Sequence, residues 1–266
     1  MNIILEENDL GFLAASYLKK RLKENGGKMV LGLPTGGTVE SFYKYLVDFY
    51  KAGQISFKDV ITFNLDEYVG LSATSTQSYR YYMNKHLFDY VDIQKENIHF
   101  ADADNDDYEK ACKDYEEQIN CAGGIDLLFG GVGRNGHIAF NESGTPFDTP
   151  VHRVKLAEST RKANARFFKG GIEDVPYYAL TMGMGTILKA KEIIILASGE
   201  SKAEAVYHAV QGPVTTVWPV SALRQHTNSF ILADDRALSL VSRSVLEEYK
   251  NCCLGQNCLN GNMKTK

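Results

Sequence analysis

Apolar residues recur along this chain in two alternating rhythms. Leu10, Leu13, Ala14, Tyr17, Leu18 and Leu22 fall three and four apart, the spacing of one helix face, and Gly26-Gly27 ends that segment. Residues 29–33, MVLGL, then read as a short buried strand. The pair repeats: Val39, Phe42, Tyr43, Leu46 and Phe49 mark a helix closed by Gly53, and ITFNL at 61–65 marks a strand. Further helices are predicted at 79–88, 108–118, 202–210 and 238–249, and further strands at 98–100, 125–130, 192–198 and 229–233. Alternation of this kind predicts an α/β fold, an open, doubly wound, mostly parallel Rossmann-like sheet with helices on both faces. The pattern covers residues 1–250 as one domain, leaving a Cys-, Asn- and Gly-rich tail at 251–266 that is expected to be mobile.

The segments after the strands carry the chemistry. PTGGT follows the first, DEYVG the second, GVGRNGHIAFNE the strand at 125–130, and GESK the strand at 192–198. Parallel strands bring their carboxyl ends to one edge, so these four segments are expected to meet in a single crevice.

Each segment has a plain reading beside a chemical one. In the first, Thr35, Gly36, Gly37 and Thr38 precede a helix, where backbone N–H groups and a hydroxyl suit a phosphate; the plain alternative is a glycine turn with Thr38 as helix cap. The GK[ST] ending of a nucleotide-triphosphate loop is absent. Asp66 and Glu67 end the second strand. Adjacent side chains on extended backbone point opposite ways, so one of the two faces the crevice, as a carbon-acid base or simply as a solvated acidic turn. In the third, Asn135, His137 and Glu142 lie within eight positions, enough to orient an imidazole and relay a proton. Gly131, Gly133 and Gly136 also satisfy GxGxxG, with Glu158 downstream where a ribose-binding acid would stand. The helix such a dinucleotide site requires is opposed by Asn141, Gly144, Pro146 and Pro150. Arg166 and Lys202 are candidate phosphate cations, whereas Arg161 and Lys162 read as ordinary surface charges.

Composition narrows the partners. With 266 residues and a net charge of −4, the chain offers no general surface for nucleic acid or anionic membrane, and an anionic small molecule needs a local cationic pocket. The N-terminus lacks the basic start and apolar core of a signal peptide, and no apolar run reaches membrane-spanning length, so a cytoplasmic protein is expected. Cys112, Cys121, Cys252, Cys253 and Cys258 form an odd set without CxxC spacing, read as free thiols. No residue set has metal-ligand spacing, so no metal is expected. The triplet Asn141-Glu142-Ser143 matches a glycosylation acceptor by coincidence. A homo-oligomer is compatible with the sequence.

LGLPTGGT (31–38), FNLDEYVGL (63–71), GGVGRNGHIAFNE (130–142) and TRKANARFF (160–168) resemble, in order and spacing, the signature segments of glucosamine-6-phosphate deaminases, and the likeness covers residues 3–249. The resemblance implies conversion of glucosamine 6-phosphate and water to fructose 6-phosphate and ammonium, in amino-sugar catabolism and without a cofactor. Carried over by position, His137 takes the anomeric hydroxyl proton to open the ring, helped by Asn135 and Glu142. Asp66 then moves a proton from C2 to C1. Thr35, Gly36, Gly37 and Thr38 hold the phosphate together with Arg166 and Lys202. Residues 151–182 form a lid, with Gly170-Gly171 supplying flexibility. Many members carry Asp at the position of Asn135, and some carry Asn. The loop at 143–160 differs from that of the allosterically regulated hexamers, which tells against activation by N-acetylglucosamine 6-phosphate. Two alternatives remain: a 6-phosphogluconolactonase-like hydrolase, or a non-enzymatic sugar-phosphate sensor.

Overall fold

A computed structural model describes residues 1–5 and 9–253. The elements in the first half are β1 (Asn2–Leu5), α1 (Leu10–Glu24), β2 (Val30–Leu33), α2 (Glu40–Lys51), β3 (Ile61–Asn64), β4 (Asp66–Tyr68), α3 (Tyr79–His86), β5 (Ile98–His99), α4 (Tyr108–Cys121) and β6 (Leu127–Gly131). There follow β7 (His152–Lys155), α5 (Glu158–Asn164), β8 (Tyr178–Thr181), α6 (Met184–Leu188), β9 (Ile193–Ala197), α7 (Ala203–Val210), β10 (Ser229–Ala233) and α8 (Arg243–Cys253).

Seven strands form one parallel sheet in the order β1-β10-β9-β6-β2-β3-β5. Successive side chains go to opposite faces. Ile193, Ile195 and Ala197 of β9 enter one apolar core, and Ile194 and Leu196 enter the other; Leu128 of β6 likewise separates from Leu127 and Phe129. Helices α1 and α2 cover one face, while α4 and α7 cover the other. Every position named for the first helix face, from Leu10 to Leu22, is buried. From β2 the chain builds outward through β3 to β5, then returns with β6 on the other side of β2. The winding therefore reverses between β2 and β6, the place where open α/β sheets bind ligands.

A second, antiparallel sheet, β4-β8-β7, stands beyond the carboxyl edge of the first. Its core contains six buried side chains, Tyr68, Phe140, Leu156, Phe168, Val175 and Ala179. At about 1.5–3 kcal/mol each before entropy, these hold it far less firmly than the two main cores hold the large sheet.

The structure departs from the sequence reading in several places. Strand β1 was not anticipated, being four residues long and finding its pairing at the sheet edge against β10. The last helix begins at Arg243 rather than 238, because Leu238 and Val241 are buried in a turn whose start is held by Asp234, which accepts the N–H of Ala237 at 2.8 Å. Helix α8 runs on to Cys253; the rest of the segment read as a tail, 254–266 with Cys258, lies outside the described residues. Among the described residues no helix is long and apolar enough to cross a membrane.

Candidate active site

Strand β6 delivers the chain to a tight loop rather than a helix. The N–H of Gly133 donates to the carbonyl of His137 at 2.8 Å, and that of Gly136 to the carbonyl of Gly133 at 3.1 Å. This folds the His137 ring back over Gly133 so closely that a Cβ there would lie 2.2–2.3 Å from three ring atoms. No helix follows until Glu158–Asn164, so the dinucleotide reading lacks its essential part. Ala139 takes φ 51°, a left-handed conformation that costs a non-glycine residue about 1 kcal/mol and that recurs at functional loops. Asn141, fully buried, donates to the carbonyls of Ile138 at 2.9 Å and Met182 at 2.7 Å, which removes it from any glycosylation.

The three polar side chains form a continuous relay. His137 Nδ1 lies 2.7 Å from Asn135 Oδ1, and Asn135 Nδ2 donates to Glu142 Oε2 at 2.6 Å. The amide thus presents its oxygen to the ring and its NH2 to the carboxylate. With the proton on Nδ1, the imidazole keeps Nε2 free to act as a base. Thr160 Oγ1 donates to the other carboxylate oxygen, Oε1, at 2.6 Å. Burial pushes the Glu142 carboxyl upward, but the His137 ring 3.7 Å away and hydrogen bonds from Thr160 and Asn135 outweigh it and hold the group at about 2. Glu142 therefore stays ionised at any working pH.

Asp66 and Glu67 divide as alternation requires. Glu67 turns away from the crevice and accepts the N–H groups of Tyr68, Tyr79 and Arg80 at 2.9, 2.8 and 2.9 Å, holding the first turn of α3. Asp66 is also buried, and among the described residues no group hydrogen-bonds its carboxylate. Desolvation, followed by the charge of Glu67, raises it to about 8. Such a carboxyl has the proton affinity of a working general base.

The loop after β2 is open to a ligand. Gly36 adopts φ 115°, a backbone state suited to glycine, and its carbonyl accepts the Tyr82 hydroxyl at 2.9 Å. Thr38 does not cap α2: it lies in a single 3₁₀ turn at Gly37–Val39, and no side chain caps the helix. Gly37 is exposed, and Thr35 and Thr38 are half-buried. Lys202 ends the 3₁₀ turn at Glu200–Lys202 that leads into α7, and its ammonium is held below the usual lysine range by burial, then by the charges of Arg134 and Arg166. Among the described residues none of these three cations pairs with a carboxylate. They form a local positive site on a chain of net negative charge, a match for a dianion.

Strand order brings the four segments together. They follow β9, β6, β2 and β3, which are consecutive neighbours in the sheet, so their ends span about 14 Å at ordinary strand spacing. The small sheet then ties the Asp66 strand to the His137 loop. Asp66 pairs with Thr181 of β8, whose Oγ1 accepts the N–H of Phe140 at 3.2 Å, and Met182 bonds both to Leu65 and to Asn141.

Sequence reasoning missed four contributors. Arg134 and Thr160 stood inside quoted segments without being singled out, and Asn164 donates to the Tyr68 hydroxyl at 2.7 Å. Arg161, read as a surface charge, is buried instead: its guanidinium donates to the carbonyls of Ile172 at 2.8 Å and Val175 at 3.0 Å and lies over the Tyr177 ring. Those carbonyls were invisible from a basic run, whereas Lys162 does stay exposed, paired with Glu158 at 2.6 Å. Among the described residues no group of three or more His, Cys, Asp or Glu side chains is placed to hold a metal ion.

Comparison with known proteins gives the family and the fold. The family described as glucosamine-6-phosphate isomerases/6-phosphogluconolactonase matches residues 8–232. The chain is 46% identical over 250 residues to the glucosamine-6-phosphate deaminase of Thermoanaerobacter pseudethanolicus, covering 93% of this chain and 98% of that protein. It superposes on a solved structure of a monomeric glucosamine-6-phosphate deaminase with a TM-score of 0.87 and 41% identity, covering 90% of this chain and 100% of the other. The 6-phosphogluconolactonase of Thermotoga maritima, at a TM-score of 0.69 and 20% identity over 88% of this chain and 98% of its own, shares the fold.

Proposed function

The chain belongs to the glucosamine-6-phosphate deaminase family and carries that family's activity, and we propose how its own residues divide the reaction. His137 takes the anomeric hydroxyl proton through Nε2 and passes it to the ring oxygen as the C1–O5 bond breaks, which leaves the open-chain aldehyde. Asp66 takes the proton from C2 and returns it to C1 through an enolamine. The resulting C2 imine adds water and loses ammonia, leaving fructose 6-phosphate. The backbone amides at Gly36 and Gly37 and the hydroxyls of Thr35 and Thr38 hold the phosphate with Lys202, Arg166 and Arg134. Residues 151–182, built on β7, α5 and β8, serve as the lid. A cytoplasmic site of action fits this small phosphorylated substrate.

The observation that carries this division of labour is the pairing of two unlike acid–base groups at one sheet edge: a hydrogen-bonded imidazole relay, and a desolvated carboxylate raised to about 8. A lactone hydrolase needs an activated water and has no use for a base at C2. Purified protein given glucosamine 6-phosphate should release ammonium and fructose 6-phosphate in equal amounts. Hydrolysis of 6-phosphogluconolactone instead would favour the hydrolase, and binding without either reaction would favour a sensor.

The neutral amide at 135 yields a second prediction. Asn135→Asp places two carboxylates where 2.6 Å now separates amide nitrogen from carboxylate oxygen, so the pair shares a proton until the pH is high enough to remove it, and the second negative charge that then appears favours the imidazolium. The pH dependence of the ring-opening step should therefore move to higher pH, while the limb that Asp66 sets near pH 8 stays in place. An unchanged profile would refute the place assigned to Asn135.

A further inference from the structure

Helix α5 carries two polar side chains, Thr160 and Asn164, one turn apart and hence on one face. One side chain reaches the loop that carries His137 and the other reaches strand β4. Thr160 donates to Glu142 Oε1 at 2.6 Å, and Asn164 donates to the Tyr68 hydroxyl at 2.7 Å. The two acceptors belong to different halves of the reaction. Glu142 closes the relay behind His137, while Tyr68 stands two residues from Asp66 on β4, on the same side of the strand.

We propose that Thr160 and Asn164 are positioning residues through which α5 sets both acid–base centres at once, Thr160 for ring opening and Asn164 for proton transfer at C2. This rests on the roles given above to His137 and Asp66. The Glu142 carboxylate has one oxygen on Asn135 and the other on Thr160, so its plane is held at both ends. Without the Thr160 hydroxyl, Oε1 is drawn toward solvent, the Asn135 amide follows Oε2, and the His137 ring loses its fixed tilt. Thr160 is buried, so water does not easily replace its hydroxyl. On the other side, the Tyr68 hydroxyl receives Asn164 and Tyr79, and the Tyr68 ring packs on Tyr79, Phe140 and Phe168. Loss of the Asn164 amide frees the hydroxyl end of that ring, which already feels the charge of Asp66. Neither residue is among those assigned to the phosphate, so the effect should fall on turnover rather than on affinity.

The test compares Thr160→Val, Thr160→Ser and Asn164→Leu with the parent enzyme, using glucosamine 6-phosphate with hydrogen or deuterium at C2. Thr160→Val should lose about ten- to a hundredfold in kcat with KM nearly unchanged, the usual effect of removing a hydrogen bond to a charged group, and Thr160→Ser should recover most of it. Ring opening then limits Thr160→Val and the C–H step limits Asn164→Leu, so the C2 isotope effect should be smaller in the first than in the second. Equal isotope effects, an unchanged kcat in Thr160→Val, or failure of Ser to restore turnover overturns the proposal. Any of these can occur while the parent enzyme still releases ammonium and Asp66→Asn is still dead, so the proposal can fail without the roles of His137 and Asp66 failing.

Discussion

Asp66→Asn should lose about a thousandfold or more in ammonium release while still binding glucosamine 6-phosphate, and hydrogen at C2 should no longer exchange with solvent. The amide fills the same space and removes only the proton acceptor. Because the Asp66 carboxyl is raised to about 8, first by burial and then by Glu67, the free parent enzyme holds it protonated through the neutral range and gains base as the pH climbs. Its kcat/KM should therefore rise toward about pH 8, and the variant should lack that limb. Stability should show the opposite sign. A carboxyl whose folded value lies above its unfolded one favours the native state while protonated, so stability falls as the pH rises from the ordinary carboxylate range, about 4, through about 8. Asp66→Asn cannot ionise and should melt with less dependence on pH across that window. Thermal melts of both proteins from pH 4 to 9, beside C2 exchange, check the assignment; a variant that retains turnover or shows the parent's pH slope excludes Asp66 as the buried base.

Gly133→Ala should be nearly as damaging, although it replaces no ionisable group. The added Cβ would stand 2.2–2.3 Å from Cε1, Nδ1 and Nε2 of His137, a distance real side chains do not tolerate. The φ of Gly133 lies outside the left-handed region, so its backbone accepts alanine and the conflict lies wholly with the ring. The loop is pinned by the Gly133 N–H on the His137 carbonyl, which leaves the imidazole to swing away and break its 2.7 Å contact with Asn135. A displacement of about 1 Å at a reacting group costs about a hundredfold, so kcat should fall by at least that factor while the fold persists. Gly131→Ala, where an added Cβ meets nothing within 4 Å, is the matched control and should stay within a few-fold of the parent. Steady-state kinetics and circular dichroism of the two variants decide the point, and comparable activity in both would remove the packing argument.

Legibility followed the range of the interaction. Leu10 to Leu22 and the run IIILA showed their elements because neighbours two to four residues apart share a face. The antiparallel sheet stayed hidden, since β4 is three residues long and has meaning only against Thr181 more than a hundred positions later. Arg161 and Lys162 looked alike as a basic pair, yet one is buried on carbonyls from 172 and 175 while the other is exposed. Arg134 sat unnoticed between two signature residues, because a lone arginine has no local pattern to mark it.

Taken alone, the sequence determined the alternation of strands and helices, the carboxyl-edge placement of the four polar segments, and the chemical types available there. Only the tertiary structure decided which strands are neighbours, and so that β9, β6, β2 and β3 carry those segments side by side. It also decided that Asp66 rather than Glu67 is left without a hydrogen-bond partner among the described residues, and that α5 reaches Glu142 and Tyr68. Periodicity is written in the spacing of adjacent residues, whereas strand order, burial and proton affinity arise from contacts between distant ones.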